Sequence, residues 1–250
     1  MTTESTRDDW DEHWSQFGDS AELGPTPRYR RRLINSLLNI DAADTAVKFL
    51  EIGSGTGEFA EEFAHKYPRA SYLGVELSLT GVQVSQKRVP SASFAQRDLL
   101  QPLATDALAG FGATHALCSE VLEHLQEPAH LLKNAARYCA PGCRLIVTVP
   151  GGPMNAFYQH IGHRQHYSPA ALTALLERSG FSVESAFGAG FPFFNLFRLL
   201  ITLRGPKFVS DVSGPPSAAI RIASKLFELL FRFNSSKFGW QTFAIARYRG

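Results

Sequence analysis

Short apolar runs alternate with amphipathic stretches along the middle of the chain. Residues 47–52 form an apolar run that ends in glycines, the pattern of a strand buried on both faces. Glu58–Lys66 then reads as a helix, Ser71–Glu76 as a second strand and Leu79–Arg88 as a second helix. Ser93–Gln96 and Ala113–Ser119 supply strands three and four. Residues 129–139 are helical and closed by the stop signal Ala140-Pro141-Gly142. Residues 144–150 make a fifth strand, 169–179 a helix ended by Gly180, and 183–186 and Gln241–Tyr248 the last two strands. Strands alternating with helices require right-handed crossovers. The expected fold is therefore α/β, a doubly wound, mainly parallel sheet of seven strands covered on both faces.

The flanks break this rhythm. Residues 1–45 predict an N-terminal helical arm or lid, with Trp10, Trp14 and Phe17, the turn Gly24-Pro25-Thr26-Pro27 and a basic helical segment over 29–38. Residues 46–190 form the core, 191–238 a helical insertion before the last strand, and 239–250 the return of that strand to the core. Within the insertion, 218–233 predicts a helix apolar around most of its circumference. Such a helix must bury against the domain, a partner or lipid.

Lys and Arg (25) nearly balance Asp and Glu (23), so nothing global argues for nucleic acid. The distribution is uneven. From Arg198 onward nine Lys or Arg face two acids, Asp211 and Glu228, and twelve aromatics crowd residues 191–248. That composition suits an anionic partner, a membrane surface or a polyanionic substrate, and equally a solvated basic rim over an apolar core. Cys118, Cys139 and Cys143 make no disulfide framework, and the polar, acidic opening residues make no secretory leader. The apolar stretch 191–202 is interrupted by Asn195 and Arg198 and is too short to span a bilayer. The expectation is a cytoplasmic protein with reduced thiols, with peripheral membrane contact through 191–238 as an added option.

The strongest local signal is Glu51-Ile52-Gly53-Ser54-Gly55-Thr56-Gly57 at the end of the first strand. Glycines spaced by two let the backbone turn sharply and approach a ligand that side chains would exclude. A dinucleotide fold prefers G-x-G-x-x-G, so that a pyrophosphate meets the helix N-terminus. Here the spacing is G-x-G-x-G with an acid two positions before Gly53. This resembles the first motif of class I S-adenosylmethionine (SAM) dependent methyltransferases, a Rossmann-like family, and the resemblance covers about residues 45–190. It implies SAM as cofactor. It further implies that Glu76 accepts the ribose hydroxyls as a bidentate pair, that Asp98 accepts from the adenine amino group, and that Leu77 and Leu99 flank the ring. Glu51 would orient the methionine amino end, and Ser119 would lie near the methyl group.

The exit of strand four carries Glu120, Glu123 and His124. On a helix starting there, they stand at i, i+3 and i+4 on one face, three ligands for a cation. Glu-x-x-Glu-His with a later histidine resembles the metal site of small-RNA 3′-terminal 2′-O-methyltransferases, and its first part resembles ubiquinone-pathway O-methyltransferases. The first resemblance puts His163 in the fourth ligand position, with His166 as runner-up. A mixed oxygen and nitrogen shell suits Mg, Mn, Fe or Zn, which would chelate adjacent hydroxyls and lower the acceptor's pKa. Without a metal, His124 or His166 serves as general base. His13 and His65 read as surface residues, and His130 as a helix residue without a partner.

The expected activity is O-methylation of a small or lipid-like acceptor with adjacent hydroxyls. The alternatives are RNA 3′-end 2′-O-methylation, metal-independent N- or C-methylation, and a SAM-binding partner protein without catalysis. Aromatics over 191–198 wall an apolar pocket, touch a membrane or are plain core. Arg28, Arg30, Arg31 and Arg32 steer an anionic acceptor or form a solvated face.

Overall fold

The structure is a computed structural model that describes residues 10–12, 14, 24–101, 106–205 and 218–250. His13, Phe17 and Asp211 lie outside the described residues. Residues 10–12 and 14 are helical. Helix α1 (Pro25–Leu37) opens the continuous chain and replaces the expected 29–38, because Pro25 pre-sets the first helical turn.

Strand β1 (Lys48–Ile52) is buried at every position after Lys48. Its alternating side chains divide the core in two. Phe49 joins an aromatic layer with Phe59, Phe63 and Tyr72, its ring centroid 4.3 Å from that of Phe63. Leu50 and Ile52 join the opposite layer with Leu73, Val75, Leu132 and Leu145. Helix α2 (Glu58–Lys66), β2 (Ser71–Glu76), α3 (Leu79–Arg88), β3 (Ser93–Gln96) and β4 (Ala113–Ser119) follow as the pattern predicts. Then come α4 (Pro128–Ala135), β5 (Cys139–Pro150), the short α5 (Ala156–His160), α6 (Pro169–Arg178) and β6 (Phe181–Ala189). Helices α7 (Phe193–Arg204) and α8 (Ala218–Leu230) precede β7 (Gln241–Tyr248).

The seven strands form one sheet in the order β3-β2-β1-β4-β5-β7-β6, with β7 antiparallel to both neighbours. The sheet order reverses direction between β1 and β4, whose exits bound the crevice where open α/β sheets bind ligands.

Three boundaries depart from the expectation. The stop signal Ala140-Pro141-Gly142 acts earlier than expected. A 3-10 turn (Ala136–Tyr138) closes α4, and the chain is already extended at Cys139. Cys139 pairs with Ala113 and Arg144 with His115, so the intervening residues loop out as an irregularity. Strand β6 is longer than 183–186 because β7 pairs along it to Phe181 and Ala189. The stretch around 191–202, given no helix of its own within the expected helical insertion, is helix α7. Its first N–H groups, on Phe193 and Phe194, are capped from across the insertion by Asn234 Oδ1 at 2.8 and 3.3 Å.

The insertion is closed at its base. Phe191 N donates to Phe238 O at 2.9 Å and Ser235 N to Phe191 O at 2.7 Å. Gly239 lies there at φ 145°, where an added Cβ would stand 2.0 Å from Ala189 O. The position tolerates glycine alone. Tyr29 of α1 packs on Phe194 and Phe231, with both ring distances 5.4 Å, and so anchors the insertion to the arm.

Candidate active site

The glycine loop leaves β1 by pairing with the next strand. Gly53 N and Ser54 N both donate to Val75 O, at 2.8 and 3.2 Å. Gly53 has φ 72°, and a Cβ there would lie 2.4 Å from Val121 Cγ2, so β4's exit fits against bare backbone. Beside the loop, the buried Glu76 carboxylate accepts from Gly55 N through Oε2, and from Leu77 N and Ser78 N through Oε1, each at 2.9 Å. A carboxylate offers about four acceptor sites. Three are taken, which leaves one on Oε2 rather than the bidentate pair expected for ribose. Burial raises the Glu76 pKa, and the three N–H bonds oppose that rise.

A cleft of about 360 Å3 opens from this floor, within the range of small-molecule sites. Gly53, Glu76, Leu77, Asp98 and Leu99 line one end, and Glu120, Val121, His124 and Arg164 the other. Asp98 Oδ1 accepts from Leu100 N at 3.0 Å, which fixes the carboxylate at the rim. Gly55, Gly57, Glu51 and Ser119, all expected at the cofactor, do not line the cleft. The Glu51 carboxylate instead accepts from the Tyr72 hydroxyl inside the aromatic layer. Even alternation along β1 points Glu51 to the same side as Phe49, away from the cleft.

Trp10 and Trp14 also line the cleft. The Trp14 ring lies 3.0 Å from where a Cβ on Gly55 would be, and Trp10 packs edge-on to His124 at 4.9 Å. Between them, Asp11 Oδ1 accepts from Ser78 Oγ at 2.6 Å and from Thr80 N at 2.9 Å. Those bonds hold the Asp11 carboxyl below its ordinary pKa. The tryptophans of the expected arm or lid thus cover both the glycine loop and the His124 end. Asp11 was not legible as their anchor because its partners are nearly seventy positions away.

At the chemical end, no helix starts at Glu120. Glu120 has φ 57°, and the chain makes a 3-10 turn over Leu122–His124. The expected one-face triad is therefore broken. Glu120 Oε2 pairs with Arg30 Nη1 at 3.1 Å, and Oε1 accepts from Gln241 Nε2 at 2.9 Å. Arg30 and Gln241 come from α1 and β7, and no local spacing pointed to them.

Glu123, His124 and His163 do converge, with one ligand atom from each lying within 4.8 Å of the others. Glu123 is fully buried, and among the described residues neither carboxylate oxygen has a hydrogen-bond partner. Burial, reinforced by the nearby Glu120 charge, raises its pKa well above the carboxylate range. The loop that brings His163 is fastened to the turn. Arg164 N donates to Glu123 O at 2.7 Å, Arg164 Nε to His124 O at 2.7 Å, and His124 Nδ1 lies 3.2 Å from Gly162 O. A carbonyl accepts only, so that contact places a proton on His124 Nδ1.

His166 does not line the cleft. Its Nδ1 lies 3.2 Å from Gly152 O and its Nε2 3.1 Å from His163 Nδ1. Burial lowers the His163 pKa to about 2, helped by His124, His166 and Arg198, and lowers His166 to about 4, helped by Arg198. Both rings are neutral at neutral pH. Arg198, which interrupts the apolar stretch in sequence, is buried. Its Nε donates to the Tyr158 hydroxyl at 2.7 Å, and its Nη1 to Gly151 O and Trp240 O at 3.0 and 2.8 Å. His130 does have a partner, Glu127 Oε2 at 2.7 Å.

Comparison with known proteins now bears on this arrangement. A family profile described as a methyltransferase domain matches residues 26–186. A trans-aconitate 2-methyltransferase from Methylobacterium nodulans is 30% identical over 105 residues, which cover 41% of this chain and 38% of that relative. Two solved structures share the fold. The [4+2]-cyclase SpnF has a TM-score of 0.59 at 18% identity, covering 87% of this chain and 80% of its own. Haemonchus contortus phosphoethanolamine N-methyltransferase 2, in complex with S-adenosyl-L-methionine, has a TM-score of 0.58 at 14% identity, covering 88% of this chain and 52% of its own.

The Glu51–Tyr72 pair makes stability depend on pH. Burial pushes the Glu51 pKa from 4.5 up to about 8, so the folded state holds this proton more tightly than the unfolded chain. The stabilisation is complete below about pH 4.5 and is lost as pH rises through about 8. Urea unfolding between pH 5 and pH 8 should show stability falling more steeply in the native protein than in Glu51→Gln, by at least about 1 kcal/mol over that window. Parallel slopes would show that Glu51 is ionised in the folded state.

Proposed function

We propose, from the premise that the chain belongs to the methyltransferase-domain family of class I SAM-dependent enzymes, that it methylates a hydroxyl of a small or lipid-like acceptor with His124 as general base. The observation that carries this reading is one continuous cleft with Glu76, Asp98 and Leu99 at one end and His124 at the other. SAM, when bound, supplies a methyl group on a sulfonium.

In this reading the bare backbone of Gly53 lets the cofactor's methionine end pass close to β1. Glu76 accepts a ribose hydroxyl through its remaining Oε2 site, Asp98 accepts from the adenine amino group, and Leu77 and Leu99 flank the ring. The three bonds to Glu76 keep its carboxylate from turning away. At the far end, Gly162 O orients the His124 ring, whose Nε2 would take the acceptor's hydroxyl proton. The proton would pass from the acceptor's oxygen to Nε2, and the methyl that SAM supplies would pass from sulfur to that oxygen, leaving the demethylated thioether. Arg30 and Gln241 hold Glu120 beside this site as a positioning carboxylate. An amine acceptor would need less from a base. RNA 3′-end methylation would draw on Glu120 as a metal ligand, and that carboxylate is engaged by Arg30 and Gln241. The hydroxyl reading is therefore preferred.

A second reading adds a divalent cation held by Glu123, His124 and His163. It is favoured by their convergence and by the two unpartnered oxygens of Glu123. Unsatisfied buried carboxyl groups are costly, and a cation would satisfy this one. The cation would chelate neighbouring acceptor oxygens, with acceptor or solvent completing the shell.

Calorimetric titration with S-adenosylhomocysteine should show binding by the native chain, and Glu76→Ala should weaken it at least about tenfold, the scale of one lost charged hydrogen bond. No heat with the native chain would sink the cofactor assignment. With labelled SAM and a panel of catechol, sugar and prenylated-phenol acceptors, His124→Ala should lower kcat by about 10²–10⁴ while S-adenosylhomocysteine affinity is retained. Equal turnover in the variant would refute the base. For the second reading, Zn²⁺ and Mn²⁺ titrations should show one site that Glu123→Ala removes, and unchanged binding in that variant would exclude it.

A further inference from the structure

Twelve large hydrophobic side chains are exposed among the described residues, and ten of them fall between residues 191 and 238. Scattered single exposures need no explanation, whereas contiguous apolar area marks an interaction surface. Here the exposures follow helical spacing. Along α7, Leu196, Leu199, Leu200 and Leu203 recur at i, i+3, i+4 and i+7, and Leu203 is 74% exposed. Along α8 and the 3-10 turn that ends it, Ile222, Leu226, Leu229 and Phe233 recur at i, i+4, i+7 and i+11. The two helices are joined through their other faces, where the Phe197 and Phe227 rings lie 4.7 Å apart. Exposed Phe191 and Phe238 adjoin them at the hydrogen-bonded base of the insertion. No described helix is long and apolar enough to cross a membrane.

The charges beside these stripes say what kind of partner fits. Arg221 and Lys225 of α8 and Arg232 of the 3-10 turn are exposed one position before Ile222, Leu226 and Phe233, and Lys237 is also exposed. The acid of α8, Glu228, is neutralised by Arg28 of α1 at 2.8 Å. An apolar stripe edged by cations is the pattern of a helix lying in a lipid interface. A twofold contact between copies would set the same basic edge against itself, which penalises that arrangement.

We propose that the outer face of α7 and α8 docks on an anionic lipid bilayer, with the leucine and phenylalanine side chains entering the acyl boundary and the basic edge meeting lipid phosphates and carboxylates. Helix α1 ties this layer to the cleft. Arg28 pairs with Glu228 of α8, and Arg30, two residues on, pairs with Glu120 at the cleft wall. A docked chain would therefore hold its acceptor entrance near the membrane surface, which suits an acceptor with a lipid tail. The docking itself does not rest on the methyl-transfer reading.

The test is co-sedimentation of the full chain with phosphatidylcholine vesicles containing about 30 mol% phosphatidylserine, and with pure phosphatidylcholine vesicles. Binding to the anionic vesicles is expected, falling with added salt. Arg221→Ala with Lys225→Ala should lower the partition coefficient roughly thirtyfold, from the contribution of two basic side chains near an anionic surface. Ile222→Glu with Leu226→Glu should abolish binding to both vesicle types. All four positions are exposed, and unchanged S-adenosylhomocysteine affinity in each variant separates lost docking from a lost fold or cofactor site. Absence of binding to anionic vesicles would overturn the proposal. So would a micromolar dimer that Ile222→Glu with Leu226→Glu converts to monomer, since a second copy would then be the occupant.

Discussion

One buried carboxylate holds the cofactor end of the cleft in shape. Glu76 accepts N–H groups from Gly55, on the loop after β1, and from Leu77 and Ser78, on the loop after β2, so both exits close on the same anion. Taking a carboxylate out of water costs several kcal/mol, and each charge-assisted bond returns about 1.5–3 kcal/mol. Three such bonds offset much of that cost, and burial still raises the Glu76 pKa. Removing the carboxylate would also strand three backbone donors in a mostly buried loop. Glycine is needed next to it for a separate reason, because Val121 from β4 occupies the space a side chain on Gly53 would need.

The acceptor end rests on a different kind of interaction. Helix α1 carries four arginines in five positions, and each is engaged. Arg28 pairs with Glu228, Arg30 with Glu120, and Arg31 with Glu62, while Arg32 donates to Phe231 O. Exposed pairs such as Arg28–Glu228 contribute little stability each. Their effect is geometric, fixing one helix against α2, α8 and the exit of β4 together. An arginine cluster that resembles an anion-steering patch in sequence acts here as a set of clamps. The more sheltered Arg30–Glu120 pair also keeps a carboxylate off the neighbouring Glu123, His124 and His163 group.

The core elements were legible in the sequence because local terms decide them. The apolar run into Gly53, the amphipathic helix Glu58–Lys66 and the Ser78-capped helix Leu79–Arg88 all depend on neighbours within a few residues. Boundaries failed where distant pairing overrides local pattern, as at β6, whose length is set by β7, and at Cys139, recruited by Ala113. The same division runs through the site. Gly53, Glu76, Asp98 and His124 were readable from motif spacing and all line the cleft. Glu120 was misread because its helical placement assumed a helix start that the left-handed conformation at that residue forbids. The partners that settle its role, Arg30 and Gln241, stand 90 and 121 positions away, beyond any spacing argument.

The two ends of the cleft also differ in how they respond to charge. Glu51, Glu76 and Glu123 are all buried with raised pKa values, and the first two lie on either side of the glycine loop. A protein interior with several protonated or strained carboxylates favours any cation that can enter, because the cation lowers the cost of ionising them. A sulfonium cofactor brings that charge into the cleft, whereas the demethylated thioether does not. Of these acids Glu76 lines the cleft, so a sulfonium there would be favoured over the demethylated thioether. The neutral His163 ring, kept so chiefly by burial, adds no positive charge beside the His124 ring 4.9 Å away.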